Sequence, residues 1–329
     1  MIENLIAIIA GIILLVWSAD RFVHGAAATA QHMKVSPLII GLVIMGFGTS
    51  APEMMVSSLA ALEGSPGIGI GNAIGSNIAN IALVLGATAL ILPITIRSEL
   101  LRREFPILLV VTAASGLMLI DYSLDRLDGI ILLSSLFLLM GWLIQNGAEG
   151  SPAENTPNAP LEAAVSDEIP QQLALKSALL WTFTGLVVLL LSSRLIVWAA
   201  VEIAYAFEVS ELVIGLTIIA IGTSLPELAA SITAAKKGEH DMAIGNIIGS
   251  NLFNILAVLS LPGLIDPGPI EAAVLSRDYL VMAGLTVLLF LMSILIKSEK
   301  RSIGRIEGVI LLGCFLGYLG VLYQQTLQL

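Results

Sequence analysis

The 329 residues are 57% apolar and only 12% charged, with a mean hydropathy of +0.96, whereas a soluble domain of this length needs far more charge to cover its surface. The formal net charge of −10 at pH 7 excludes a nucleic-acid partner, because phosphate binding needs clustered Lys and Arg. The single cysteine, Cys314, excludes an intramolecular disulfide and a cysteine-rich metal site; it reads as a small apolar residue inside a helix.

Apolar runs of about 20 residues, each long enough to cross a bilayer, recur along the chain. Ten spans are predicted, near 4–30, 36–62, 67–93, 103–120, 127–145, 173–207, 210–236, 241–266, 277–296 and 305–325. The first reads as a retained helix and not a signal peptide, since Met1 to Asn4 carry no basic residue and no cleavage site is evident after the apolar stretch. Between the fifth and sixth spans, residues 146–172 are rich in Pro, Ala, Asn and acid (Glu149, Glu154, Glu162, Asp167, Glu168) and lack Lys and Arg, which predicts a disordered acidic linker.

Loops after odd-numbered spans hold Lys34, Arg97, Arg102, Arg103, Lys176, Lys236, Lys237, Lys297, Lys300, Arg301 and Arg305; the opposite side holds only Arg126 and Arg277. Basic residues favour the cytoplasmic side, so the linker is expected there, with both termini outside a cell membrane. Arg21 and Arg194 stand at nearly matching positions in the first span of each half, placed to snorkel to the interface or to support helix sliding. His24, His32 and His240 lie at span ends, as interfacial polar residues do.

The chain is a duplication. Residues 35–85 align without a gap to 209–259, an offset of 174, with 27 of 51 positions identical. Each half (1–145 and 173–329, around the linker) carries five spans, an odd number, so the second half enters the membrane inverted. The predicted fold is an all-α polytopic membrane protein of ten transmembrane helices, built as two inverted five-helix repeats, an architecture of secondary transporters with the site at the repeat interface.

Glu53 and Glu227 occupy equivalent positions in mid-span, where a charge costs at least about 2.5–3.5 kcal/mol. Residues three and four apart share a helix face, so Thr49, Ser50 and Glu53 form one polar stripe, and Thr223, Ser224 and Glu227 another. Asn72, Ser76 and Asn80 in the next span are repeated by Asn246, Ser250 and Asn254. Pro52 and Pro226 offer no amide hydrogen to the carbonyls of Gly48 and Gly222, so each helix is expected to break there and free backbone oxygens at membrane depth. An all-oxygen set mixing carboxylate and carbonyl suits calcium, and no Cys and His cluster points to a softer metal. The run Gly67, Gly69, Gly71, Gly75 lacks the Lys and the strand of a phosphate loop and reads as close helix packing.

The paired motifs GTSAPE (48–53) with GNAIGSNIAN (71–80), and GTSLPE (222–227) with GNIIGSNLFN (245–254), resemble the sodium/calcium exchanger branch of the calcium/cation antiporter superfamily. The resemblance implies an antiporter exchanging calcium for sodium by alternating access. Glu53 and Glu227 would coordinate calcium with backbone oxygens of Thr49 and Thr223. Sodium would be held by Ser50, Ser76, Ser224 and Ser250 with carbonyls of Gly46 and Ala220, while Asn80 and Asn254 would line the centre. Some relatives carry aspartate where this chain has Asn254, which disfavours the potassium-dependent subtype; the glutamate context disfavours proton exchange, and a calcium-permeable channel is the remaining alternative. No nucleophile–base pair marks an enzyme. No cofactor and no obligatory protein partner are expected beyond the bilayer and the transported calcium and sodium ions.

Overall fold

The structure, a computed structural model, describes residues 2–33, 35–96, 103–147, 173–207, 220–295 and 302–326. Most of the expected linker and the start of the seventh span, residues 208–219, lie outside the described residues, as do Lys34, Arg97, Arg102, Lys297, Lys300 and Arg301. Among the described residues nine helices are long and apolar enough to cross a membrane: Ile2–Met33, Pro37–Leu62, Pro66–Ile91, Glu104–Asp121, Arg126–Leu143, Leu175–Ala206, His240–Ile265, Val274–Ile294 and Arg305–Gln324. The seventh span is described from Ala220 to Lys236. The fifth helix continues to Gly147, slightly into the stretch expected to be linker. The chain is thus an all-α polytopic membrane protein.

Local chemistry sets the helix ends. Pro37 and Pro66 start the second and third spans, where a missing N–H costs nothing, and the Ser36 hydroxyl accepts from the Ile39 amide at 3.4 Å. The turns from span 2 to 3 and from span 7 to 8 pass through Gly64 (φ 75°) and Gly238 (φ 77°), left-handed positions that glycine adopts without a Cβ clash. These two glycines are 174 apart, so the repeat extends to its turns.

Span 8 is the centre of the molecule, buried along nearly its whole length among the described residues, whereas spans 1 and 6 are largely exposed. It crosses span 2 at backbone distance. A Cβ on Gly41 would stand 2.6 Å from the Met242 carbonyl oxygen, and one on Gly249 would stand 2.3 Å from that of Leu42. Each half lends its last helix to the other. Gly308 of span 10 approaches the Gly86 carbonyl of span 3, and Gly129 of span 5 approaches the Ser260 carbonyl of span 8. Two short antiparallel ladders pin these exchanges: β1 (Ile94–Thr95) pairs with β4 (Ser302–Ile303), and β2 (Ser123–Leu124) with β3 (Gly268–Pro269).

Spans 1 and 6 form a separate tight pair. Gly25 and Gly185 bring the backbones of Thr182 and Phe22 within 2.5 Å of where a Cβ would be. Their register sharpens one expectation. Ser18 and Ser192 are both buried and each donates to the carbonyl three residues earlier, Leu15 and Leu189. That equivalence carries the offset of 174 through these helices and matches Arg194 with Asp20, not with Arg21. Arg21 instead stacks over Trp17 and Trp181, 6.0 and 5.0 Å from the ring centroids.

Candidate functional site

Both predicted breaks occur, centred on Ser50 and Ser224, two residues before the prolines. The α-helix Gly46–Thr49 stops at Ser50 (φ −82°, ψ 0°), and a new helix runs Ala51–Leu62 with Pro52 in its first turn. Ala220–Thr223 stops likewise at Ser224 (φ −89°, ψ 3°) before Leu225–Lys236. Proline is tolerated there because the first turn needs no intrahelical donor. Glu53 and Glu227 therefore sit in the first turns of two half-helices, where the partial positive charge of the helix end favours a carboxylate.

Asparagines on spans 3 and 8 hold these half-helices. Asn72 Nδ2 donates to the Glu53 carbonyl oxygen (3.1 Å) and to Ser57 Oγ (3.2 Å). Asn246 Nδ2 donates to the Glu227 carbonyl oxygen (3.3 Å) and to Ser231 Oγ (2.9 Å). Asn72 and Asn246 thus position the backbone of the glutamates. Ser57 and Ser231 were not singled out from sequence; the signal that finds them is their identity at the offset of 174.

The two halves meet at Thr49. Its hydroxyl lies 3.0 Å from the Met45 carbonyl oxygen, 3.3 Å from Asn246 Oδ1 and 3.2 Å from Ser250 Oγ. The Glu53 and Glu227 carboxylates are within electrostatic reach of each other. Thr49, Ser50, Glu53, Ser76, Asn80, Ser224, Glu227, Ser250 and Asn254 are all buried, and Thr223 is half-buried. A Cβ on Gly46 would be 2.9 Å from the backbone of Gly249 and Ser250, and Ala220 opens the short helix Ala220–Thr223. Asn80 and Asn254 each lie in a stretch of π-helix, Ala79–Leu85 and Asn254–Val258, a distortion frequent at functional sites.

The polar atoms of this centre are unusual in what they lack. All four carboxylate oxygens of Glu53 and Glu227, the hydroxyls of Ser50 and Ser224, and the amide groups of Asn80 and Asn254 are buried with no hydrogen-bond partner within bonding distance among the described residues. Buried polar groups are ordinarily paired, and leaving a charged one unpaired is expensive. Asn77 Oδ1 and both amide atoms of Asn251 share this condition on the adjoining helix faces. The mirror is imperfect at one carbonyl. Ser193 Oγ donates to the Gly222 carbonyl oxygen at 2.9 Å, whereas its counterpart near Gly48 is Ala19, which has no hydroxyl.

Two inverted sets of broken helices around a buried carboxylate pair define a membrane protein of the inverted-repeat transporter class. Residues 3–145 and 177–324 match the family described as Sodium/calcium exchanger protein. CaxA of Alkalimonas amylolytica, provisionally named an antiporter, is 48% identical over 98% of this chain and 99% of its own. The inner membrane protein YrbG of Escherichia coli K12 is 42% identical over 96% and 95%. A solved structure of the sodium-calcium exchanger NCX_Mj superposes with a TM-score of 0.82 at 33% identity, covering 98% of this chain and 99% of that one. The chain belongs to the sodium/calcium exchanger family, and its ten helices form two inverted five-helix repeats.

Proposed function

We propose that the protein exchanges calcium for sodium across the membrane by alternating access, with 1–145 and 173–329 as its two functional halves. The observation that carries this reading is the set of four buried carboxylate oxygens, without a hydrogen-bond partner among the described residues, contributed by mirrored half-helices. Calcium takes six to eight oxygen ligands in flexible geometry. Glu53 and Glu227 supply carboxylates, and Thr49 and Thr223 supply carbonyls from the broken backbone. Ser50, Ser76, Ser224 and Ser250, with the carbonyls of Gly46 and Ala220, offer neutral oxygens suited to sodium, and Asn80 and Asn254 line the centre.

Coupling follows from charge. Two ionised glutamates leave −2 in a low-dielectric centre, which is costly to occlude unless cations neutralise it. One calcium cancels that charge, so loaded forms change face far more readily than the empty one. No cofactor enters the cycle.

Asn254 sets the ion requirement, because its amide adds an oxygen and no third charge. Calcium-45 uptake into proteoliposomes is expected to follow an imposed sodium gradient in potassium-free buffer and not to follow a proton gradient. Asn254→Asp should alter ion dependence more than folding, since the side chains are nearly the same size. Uptake that stays silent until potassium is added would overturn this assignment.

The basic asymmetry orients the molecule with the 146–172 linker in the cytoplasm and both termini outside. Cysteines placed in that linker, in a Cys314→Ser background, should resist an impermeant maleimide applied to intact cells and react after permeabilisation. Reaction from outside would reverse the orientation.

A further inference from the structure

The two faces of the molecule are unequal in a way that singles out four charged residues. On one face, Lys237 Nζ lies 2.6 Å from Asp20 Oδ1, joining the end of the half-helix Leu225–Lys236 to span 1. Beside this pair the half-helix is packed shut: Pro226, Ala230 and Ala234 are buried, and Ala230 and Ala234 join one apolar cluster with Ala19, Phe22, Val23 and Ala26 of span 1.

The offset of 174 maps Asp20 onto Arg194 and Lys237 onto Glu63. The mirrored pair is again of opposite charge, with the signs exchanged. On that face the packing is open. Clefts of about 250 and 300 Å³ separate the half-helix Ala51–Leu62 from span 6, lined by Pro52, Met55, Val56, Leu190, Arg194 and Val197, and the first reaches Thr223 of the candidate site. Pro52 and Val56 are only half-buried, unlike their counterparts Pro226 and Ala230. Arg194 Nη2 lies 3.6 Å from Met55 Sδ. Met55 stands eight residues, roughly 12 Å of helix, before Glu63.

We propose that Asp20–Lys237 and Arg194–Glu63 are alternating latches, one formed in each of the two accessible states. Spans 1 and 6, locked together through Gly25 and Gly185, move as one body past the half-helices. Displacement by about two helical turns separates Asp20 from Lys237, opens the Ala230 side, brings Arg194 to Glu63 and closes the Val56 side. The exchanged signs keep each latch attractive to its own partner. They make a cross-match between like ends repulsive: Asp20 repels Glu63, and Arg194 repels Lys237. This inference rests on the alternating-access reading, but its readout does not require transport.

The test uses full-length Cys314→Ser protein in proteoliposomes, with a single reporter cysteine at Val56 or, in a second series, at Ala230. Labelling rates by a charged thiol reagent are measured on each face. Exposed pairs are weak, so shifts of roughly two- to fivefold are expected. Asp20→Asn or Lys237→Gln should slow labelling at position 56 and speed it at position 230. Glu63→Gln or Arg194→Gln should do the reverse. The exchange Asp20→Lys with Lys237→Asp should restore the original rates. Opposite signs for the two pairs with restoration support the latches; unchanged rates, shifts of the same sign or failure of the exchange overturn them. Sodium-driven calcium uptake in the same vesicles reports separately on the function proposed above.

Discussion

Replacing Glu53 or Glu227 with glutamine is expected to abolish sodium-driven calcium uptake while leaving a folded, membrane-inserted protein. Each carboxylate is buried, feels the charge of the other, and has no hydrogen-bond partner within bonding distance among the described residues. No cationic side chain pairs with either glutamate among the described residues, so its removal leaves no buried counter-charge behind. A unit charge facing a bound cation at about 4 Å is worth roughly 4 kcal/mol near a protein surface, so losing one should cost about a thousandfold in calcium affinity. Glutamine keeps the shape and one of the two oxygens. The half-helices remain held by Asn72 and Asn246, which bond the backbone carbonyls of Glu53 and Glu227 and not their side chains. Melting temperature in calcium-free, sodium-free buffer should be unchanged or raised, because an unpaired buried charge has been removed. Calcium should raise it for the wild-type protein and not for either variant. Near wild-type uptake by both variants would remove these residues from the site.

Much of this fold was legible in the sequence because the bilayer imposes a strong rule. A spanning helix must be about 20 apolar residues long, so the predicted ends fall within a few residues of those observed. The motif pairs were legible because duplication keeps spacing: Glu53 and Glu227, and Ser57 and Ser231, differ by one constant. Pro52 and Pro226 announced broken helices through missing donors. Other features are set by tertiary packing and leave weaker traces. The π-helical stretches at Ile40–Met45, Ala79–Leu85 and Asn254–Val258 have no proline or other local marker within them. Asn72 and Asn246 read as oxygen donors to the centre, yet their amide nitrogens are spent on clamping the half-helices. The capture of the Gly222 carbonyl by Ser193 depends on span 6 lying alongside span 7, which no local pattern encodes. The Asp20–Lys237 contact joins residues over two hundred positions apart, and only the extended repeat register shows that Arg194 and Glu63 mirror it.

Gly249→Ala is expected to be the most damaging single methyl group in the molecule. The new Cβ would stand 2.3 Å from the Leu42 carbonyl oxygen, 2.8 Å from its Cα and 2.9 Å from its carbonyl carbon. Real side chains do not approach so closely, and the obstacle is backbone on a packed helix, so no rotamer change relieves it. Spans 2 and 8 must part, and Gly41, Gly46 and Gly245 lose their backbone contacts with the facing helix at the same time. Overpacking of this kind costs about 1–3 kcal/mol and occasionally more. The site is affected directly, because Gly249 precedes Ser250, whose hydroxyl lies 3.2 Å from that of Thr49 on the opposing span. Separating the helices therefore breaks the contact that joins the two halves at the candidate site. Uptake should fall by more than the loss of stability alone accounts for, even at temperatures where the variant stays folded. Gly284→Ala is the control: it is an exposed position of the ninth span, and a Cβ there meets nothing within 4 Å. It should be neutral or stabilising, since alanine is favoured over glycine in a helix by up to about 1 kcal/mol. The measurement is melting temperature in detergent together with calcium-45 uptake for both variants. Gly249→Ala that melts and transports like the Gly284→Ala protein would show that spans 2 and 8 do not cross at this distance.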